Sequence, residues 1–205
     1  GASPQFGAGF QDIWDALKGG STRATPEERQ PFYDTANELI KQHVPMIPIA
    51  HGGNAAAFKA DVEGAYASDI GAEQFGLMNP GGRDTLVWMQ NAEPIGLYCA
   101  DETDGESLRA CEQVLQSLLA YEPLTAKIIP SLATEWTANE DLTEWTFTLR
   151  DGVKFHNGAT LDANDVVLSY AVQWDAAHPL HVGRAGDFSY FSSLFNGLLN
   201  APAAE

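Results

Sequence analysis

The chain has 205 residues, long enough for one large or two small domains around a buried core. Its apolar fraction of 44%, with five Trp, six Tyr and ten Phe, is that of a packed protein and not of a disordered one. Twenty-eight acidic against eleven basic side chains give a net charge of −17, which repels phosphate backbones and anionic headgroups and argues against nucleic acid as a partner.

In chain order, Phe10, Ile13, Trp14 and Leu17 recur at three- and four-residue intervals and predict a short helix over Phe10 to Leu17, ended by Gly19-Gly20. Thr25-Pro26-Glu27-Glu28 combines a capping residue, proline at the first helical position and early acidic charge, predicting a second helix from about Pro26 to Gln42. Pro31 marks a point of local irregularity within it. Val44 to His51 is apolar and proline-interrupted, an extended segment at a sheet edge or strand start, and Ala55 to Val62 is a second extended stretch. Asn79-Pro80-Gly81-Gly82 is a turn or linker.

Beyond it, Asp84 to Met89 is a strand candidate, followed by a loop from Gln90 to Gly105. Leu108, Cys111, Leu115, Leu118 and Leu119 mark the inner face of a helix from about Glu106 to Ala120. Trp145, Phe147 and Leu149 alternate with Thr146 and Thr148, the period of a half-buried strand, and Asp151-Gly152 turns the chain after it. Asp162 and Asp165 bracket a helix start that Val166, Val167, Tyr170 and Trp174 continue. Strands alternating with helices set the class as α/β or mixed α+β.

No window holds the roughly 18 to 20 continuous apolar residues of a membrane-spanning helix. The chain opens on Gly1-Ala2-Ser3 without a basic, apolar leader, so an export signal is expected to have been removed or to lie outside it. Cys99 and Cys111 are too few for a disulfide scaffold and lack the paired spacing of a structural zinc site.

The stretches Pro130-Ser131-Leu132-Ala133-Thr134-Glu135-Trp136, Glu144 to Gly158 (EWTFTLRDGVKFHNG) and Asp162-Ala163-Asn164-Asp165-Val166-Val167 resemble the signature region of the family 5 solute-binding proteins of ABC importers, the oligopeptide- and dipeptide-binding type. Asn157 stands where that family usually has Asp. Asp84 to Glu122, with Glu93-Pro94, is similar to the family's first strand and helix. Glu28-Arg29, Tyr33, Ala36, Ile40 and Val44 to His51 are similar to its C-terminal element, so the order of the ends is inverted.

The resemblance implies a periplasmic-binding-protein-like type II fold, present incompletely. Residues 1–78 would be a C-terminal-type element of the first lobe, 84–122 an N-terminal-type element of that lobe, and 123–205 part of a small second domain. A fragment of a longer chain and a receptor with a duplicated or permuted end both fit, since permutation is tolerated where termini lie close together. The implied function is extracytoplasmic capture of a solute, a peptide first of all, and its delivery to an ABC permease in the membrane. The location would be periplasmic or extracellular, with a lipid anchor as an option in the full-length protein. The alternative is a structural or interaction module that keeps part of the receptor fold without transport.

No enzyme is expected: there is no Gly-x-Ser-x-Gly elbow, phosphate-binding loop or His-Glu-x-x-His helix, and no cofactor is implied. His178 and His181 have a metal-like spacing, but Pro179 between them argues against a helix and against a site. The acidic run Asp101 to Glu106 lacks the spacing of a calcium loop and reads as a solvated cap on the following helix. Of the aromatic set Phe188, Tyr190, Phe191 and Phe195, core packing is the general expectation, and the resemblance moves Tyr190 towards a ligand cleft.

With the resemblance, the ligand site is expected on the loop Ala92-Glu93-Pro94-Ile95-Gly96 together with Tyr190, the alternative for the loop being an ordinary strand-to-helix connection. Pro94 stiffens the loop, Gly96 permits close backbone approach, and Glu93 offers a partner to a cationic amino group. An exported location also implies a disulfide between Cys99 and Cys111, the alternative being two reduced, buried thiols.

Overall fold

A computed structural model describes residues 10–45, 47, 49–50, 55–68, 70–71 and 73–202. They fall into two compact units, one drawn from Gly1–Gly53 with Trp136–Thr146, the other from Asn54–Glu135 with Phe147–Glu205.

The first unit is built on a pair of helices, α1 (Gln11–Ser21) and α2 (Pro26–His43). α1 buries Ile13, Ala16 and Gly20 and runs through the glycine pair instead of stopping there. The reason is packing: a Cβ at Gly19 would lie 2.5 Å from the Phe32 ring, and one at Gly20 2.6 Å from the Tyr33 ring. The glycines are where two helices approach closely, and the packing gain overrides their poor helix propensity.

α2 starts as its sequence dictates. The Thr25 hydroxyl accepts the Glu28 N–H at 3.3 Å and the Glu28 carboxylate accepts the Thr25 N–H at 3.2 Å, a reciprocal capping box. Pro31 lies inside the helix without ending it. At its far end His43 meets Asp12 of α1 at 3.0 Å. The helix closes on Val44 with φ 48, a left-handed position that costs a β-branched residue some strain. Of the extended segment expected over Val44 to His51, Met46, Pro48 and His51 lie outside the described residues. Val44, Pro45, Ile47, Ile49 and Ala50 belong to no strand, and Ile47 and Ile49 are exposed.

In the second unit, Ala55 to Val62 forms no strand. Its neighbour Glu63 makes only an isolated bridge with Asn79, through N–H···O distances of 3.0 and 2.9 Å. Gly81 and Gly82, at φ +68 and +77, turn the chain as expected. Asp84 to Met89 is not a strand either. Its side chains still alternate, with Leu86 and Trp88 partly covered while Val87 and Met89 are 85% and 92% exposed. The period of two is present, but among the described residues no neighbouring strand pairs with it, and a strand without a ladder is not stable alone.

The next helix, α3, spans only Gly105–Glu112 and stops well short of Ala120. Leu119 leaves it for β1 (Leu119–Tyr121), which pairs antiparallel with β2 (Ile128–Pro130) in the register Leu119↔Pro130, Ala120↔Ile129, Tyr121↔Ile128. The fully buried Ala133 donates its N–H to the Leu118 carbonyl at 2.8 Å, so the ladder claims the residues the apolar period had assigned to a helix.

β3 (Ala133–Ala138) and β4 (Trp145–Leu149) form a second two-stranded sheet, closed where the Asn139 side-chain oxygen accepts the N–H groups of Thr143 and Glu144. α4 (Ala163–Trp174) has the capping box expected from Asp162 and Asp165. α5 (Ser189–Leu194) packs on it through Tyr170 against Phe191, and Phe195, which closes α5, packs against Trp174. The class is mixed helix and strand. Among the described residues, parallel pairing is confined to the single bridge between Asp175 and Leu199.

Candidate functional site

The second unit is organised around α3. Asp104 caps it by accepting the Ser107 N–H at 2.9 Å, and on the helix Ser107 and Cys111 are buried. One flank of the helix is bonded to Glu73 and, through Gln113, to Phe75. Glu73, almost wholly buried, accepts the Ser68 N–H at 3.1 Å and the Arg109 guanidinium at 2.8 Å. The Gln113 side chain donates to the Glu73 carbonyl at 2.8 Å and accepts the Phe75 N–H at 2.9 Å. Burial pushes the Glu73 carboxyl up, yet the hydrogen bonds from Arg109 and the Ser68 N–H outweigh it and leave the carboxyl below its ordinary value.

Ahead of α3, Cys99 and Cys111 form a disulfide with Cα atoms 5.8 Å apart. It fastens the short helical turn Cys99–Asp101 to the last turn of α3. That turn presents Asp101 and Glu102, which are buried side chains and not the solvated cap expected of them. Asp104 alone of the three acts as a helix cap. Asp101 accepts the N–H groups of Ala185 and Gly186 at 2.8 Å each on Oδ2, and that of Phe188 at 2.9 Å on Oδ1. Burial raises its pKa and these three bonds, with the Arg184 charge, bring it below the usual range. Glu102, 1% exposed, takes Arg184 in a forked pair at 3.0 to 3.3 Å.

The sequence-predicted ligand residues sit around this assembly. Gly96 donates its N–H to the Ser107 hydroxyl at 3.3 Å, and a Cβ there would overlap the Glu102 carboxylate, so its lack of a side chain serves packing. Glu93 and Ile95 are exposed and Pro94 is partly covered. Glu93 lines a cavity of about 580 Å³ with Phe75, Trp88, Met89, Gln90, Asn91 and Ala92. Trp88 is the aromatic floor beside it, 5.0 Å from the Phe75 ring and 5.6 Å from that of Phe58. Tyr190 lies on α5 and is 51% exposed. It lines neither that cavity nor the larger groove, about 1420 Å³, bordered by Tyr98, Leu119, Phe147, Phe155, Tyr170 and Phe191.

Among the other aromatic candidates, Phe188 is buried between the Tyr98 ring, edge-on at 6.4 Å, and His181, stacked at 4.1 Å. His181 contacts the Val172 carbonyl and His178 accepts the Leu180 N–H. Among the described residues no three His, Cys, Asp or Glu side chains are grouped to hold a metal ion. No described helix is long and apolar enough to cross a membrane.

Sequence reasoning missed the Asp101, Glu102 and Arg184 cluster. A signal existed in Gly183-Arg184-Ala185-Gly186, a lone cation between glycines in the more acidic part of the chain. Only the fold shows that a Cβ at Gly183 would overlap the Asp101 carboxylate.

Residues 127–187 match the family model described as bacterial extracellular solute-binding proteins, family 5 middle. The chain is 34% identical over 121 residues to di/tripeptide-binding protein 4 of Pseudomonas aeruginosa, covering 56% of this chain and 23% of that protein. It is 33% identical over 118 residues to heme-binding protein A of Haemophilus influenzae, covering 54% and 22%. Over 117 residues it is 33% identical to the dipeptide-binding protein of Escherichia coli, again 54% and 22%. The aligned part thus spans less than a quarter of the length of these relatives. No solved structure matches the chain.

Proposed function

We propose, from the premise that residues 127–187 are a family 5 solute-binding segment, that this chain is part of an extracytoplasmic receptor that captures a peptide for an ABC permease. The observation that carries the reading is this match together with relatives named for di- and tripeptide binding. Binding in such a role needs no covalent chemistry; it rests on exposed main-chain groups and on pockets tolerant of side-chain variety.

The loop from Ala92 to Gly96 suits that task. Glu93 and Ile95 are open to solvent while the Gly96 N–H is held by the Ser107 hydroxyl, so these two residues are presented from a fixed base. Glu93 and Trp88 line one cavity, where the Glu93 carboxylate offers a partner to a ligand's ammonium group; the Trp88 ring itself already meets the Arg109 guanidinium, 5.9 Å from its centre. Tyr190 adds an exposed ring on α5. The bonds from Arg109 and Gln113 to Glu73 and Phe75 support reading the segment around Glu73 and the segment 84–122 as parts of one lobe. A periplasmic or extracellular location follows from the same reading.

Separate Glu93→Ala and Tyr190→Ala substitutions in the full-length receptor test it by titration calorimetry with di- and tripeptides. Each is expected to weaken binding by about 1 to 2 kcal/mol. A loss below about 0.5 kcal/mol at both positions, the range of neutral surface changes, removes them from the site.

A further inference from the structure

Two parts of the proposed ligand site, the loop carrying Glu93 and the helix carrying Tyr190, are about a hundred residues apart in sequence. They have no direct bond in common, yet they rest on two adjacent carboxylates, the loop on Glu102 and the start of α5 on Asp101. Glu102 lies against the Gly96 backbone with no room for a side chain between them, and also holds Arg184 through a fork. Asp101 gathers the N–H groups of Ala185, Gly186 and Phe188, and Phe188, in the left-handed region at φ 39, is the residue from which α5 starts. Three N–H groups converging on one buried carboxylate fix the path of a loop far better than a single bond does, because each constrains a different peptide plane. The pair is itself anchored, since the disulfide ties its short helical turn to α3.

We infer that Asp101 and Glu102 are positioning residues that hold the loop Ala92–Gly96 and the start of α5 in one frame, and so set where Tyr190 stands relative to Glu93. The inference rests on the proposed ligand site for its consequence in binding, but the positioning itself is a property of the fold and is measured separately. Asp101→Ala removes the acceptor of three backbone donors. The double substitution Glu102→Gln with Arg184→Met removes the ion pair without stranding either of its two charges, while buried Asp101 loses the nearby Arg184 charge and keeps its three N–H donors.

The experiment uses the full-length receptor with 3-fluorotyrosine incorporated, amide hydrogen exchange, and calorimetry with di- and tripeptides. For Asp101→Ala, exchange at Ala185, Gly186 and Phe188 is expected to accelerate by about tenfold or more, the Tyr190 fluorine signal to move or broaden, and peptide affinity to fall by about tenfold. Where Asp101→Ala does not fold, the double variant is expected to show the same Tyr190 change, with faster exchange at Gly96. Native exchange rates and an unshifted Tyr190 signal in the folded variants overturn the inference. If Glu93→Ala and Tyr190→Ala leave affinity untouched, the site reading fails, while exchange and the fluorine signal still decide the positioning.

Discussion

Gly20 sets two well-known effects against each other, and the structure decides the sign. By helix propensity alone, Gly20→Ala within α1 gains about 1 kcal/mol. A Cβ built there, however, lies 2.6 Å from Tyr33 Cε1, 3.0 Å from Cζ and 3.1 Å from Cδ1. To restore ordinary contact the ring or the whole helix must shift by about an ångström, and overpacking of this kind costs about 1 to 3 kcal/mol. Gly20 is buried and Tyr33 is part of the α2 face it touches, so the packing cost is taken to win and the net loss is about 1 kcal/mol. Amide exchange in α1 reads this directly, and about fivefold faster exchange is expected. Gly105→Ala is the control: the first residue of α3 has nothing within 4 Å of its would-be Cβ, so substitution should stabilise by about 0.4 to 1 kcal/mol. Unchanged or slower exchange in Gly20→Ala refutes the packing argument.

The remaining expectations concern the second unit. Glu73 has a folded pKa below its ordinary 4.5, so its contribution is fully present above that value and is lost as pH falls through the lower folded pKa. Arg109→Met should flatten this acid limb and, by stranding a buried carboxylate, cost about 3 kcal/mol near neutral pH; urea midpoints measured at several pH values give both quantities. Replacing both Cys99 and Cys111 by Ser should cost about 3 kcal/mol of stability for a crosslink at a sequence separation of 12. Intact mass after alkylation of the unfolded protein without reductant tests the crosslink, and two added alkyl groups speak against it. The isolated 205-residue chain titrated with di- and tripeptides should show no submicromolar binding, because an exposed loop and one ring bury too little ligand surface; tight binding contradicts this.

Where chemistry acts within a few residues, the sequence was legible. Thr25 with Glu28, and Asp162 with Asp165, build their caps from side chains and N–H groups three positions apart, so both helix starts were readable to the residue. Trp145 to Leu149 shows its strand period because its partner β3 is the preceding segment. Asp84 to Met89 has an equally clear period and is no strand, because pairing needs a neighbour that no local pattern supplies. The leucines at 115, 118 and 119 keep helical spacing, yet Leu119 is taken up by the ladder with β2.

What the sequence by itself determined is therefore the set of caps, turns and periods, together with the signature that relates residues 127–187 to solute-binding proteins. The tertiary structure alone decided that α1 continues through Gly19 and Gly20, and that Glu73 belongs to Arg109. It also decided that Asp101 and Glu102, which look like surface charge, are the buried ties of a loop more than eighty residues away. The physical reason is the same in each case. A carboxylate or a glycine carries no mark of its distant partner in the chain, and whether it is solvated, paired or pressed against a ring is settled only when the partner arrives.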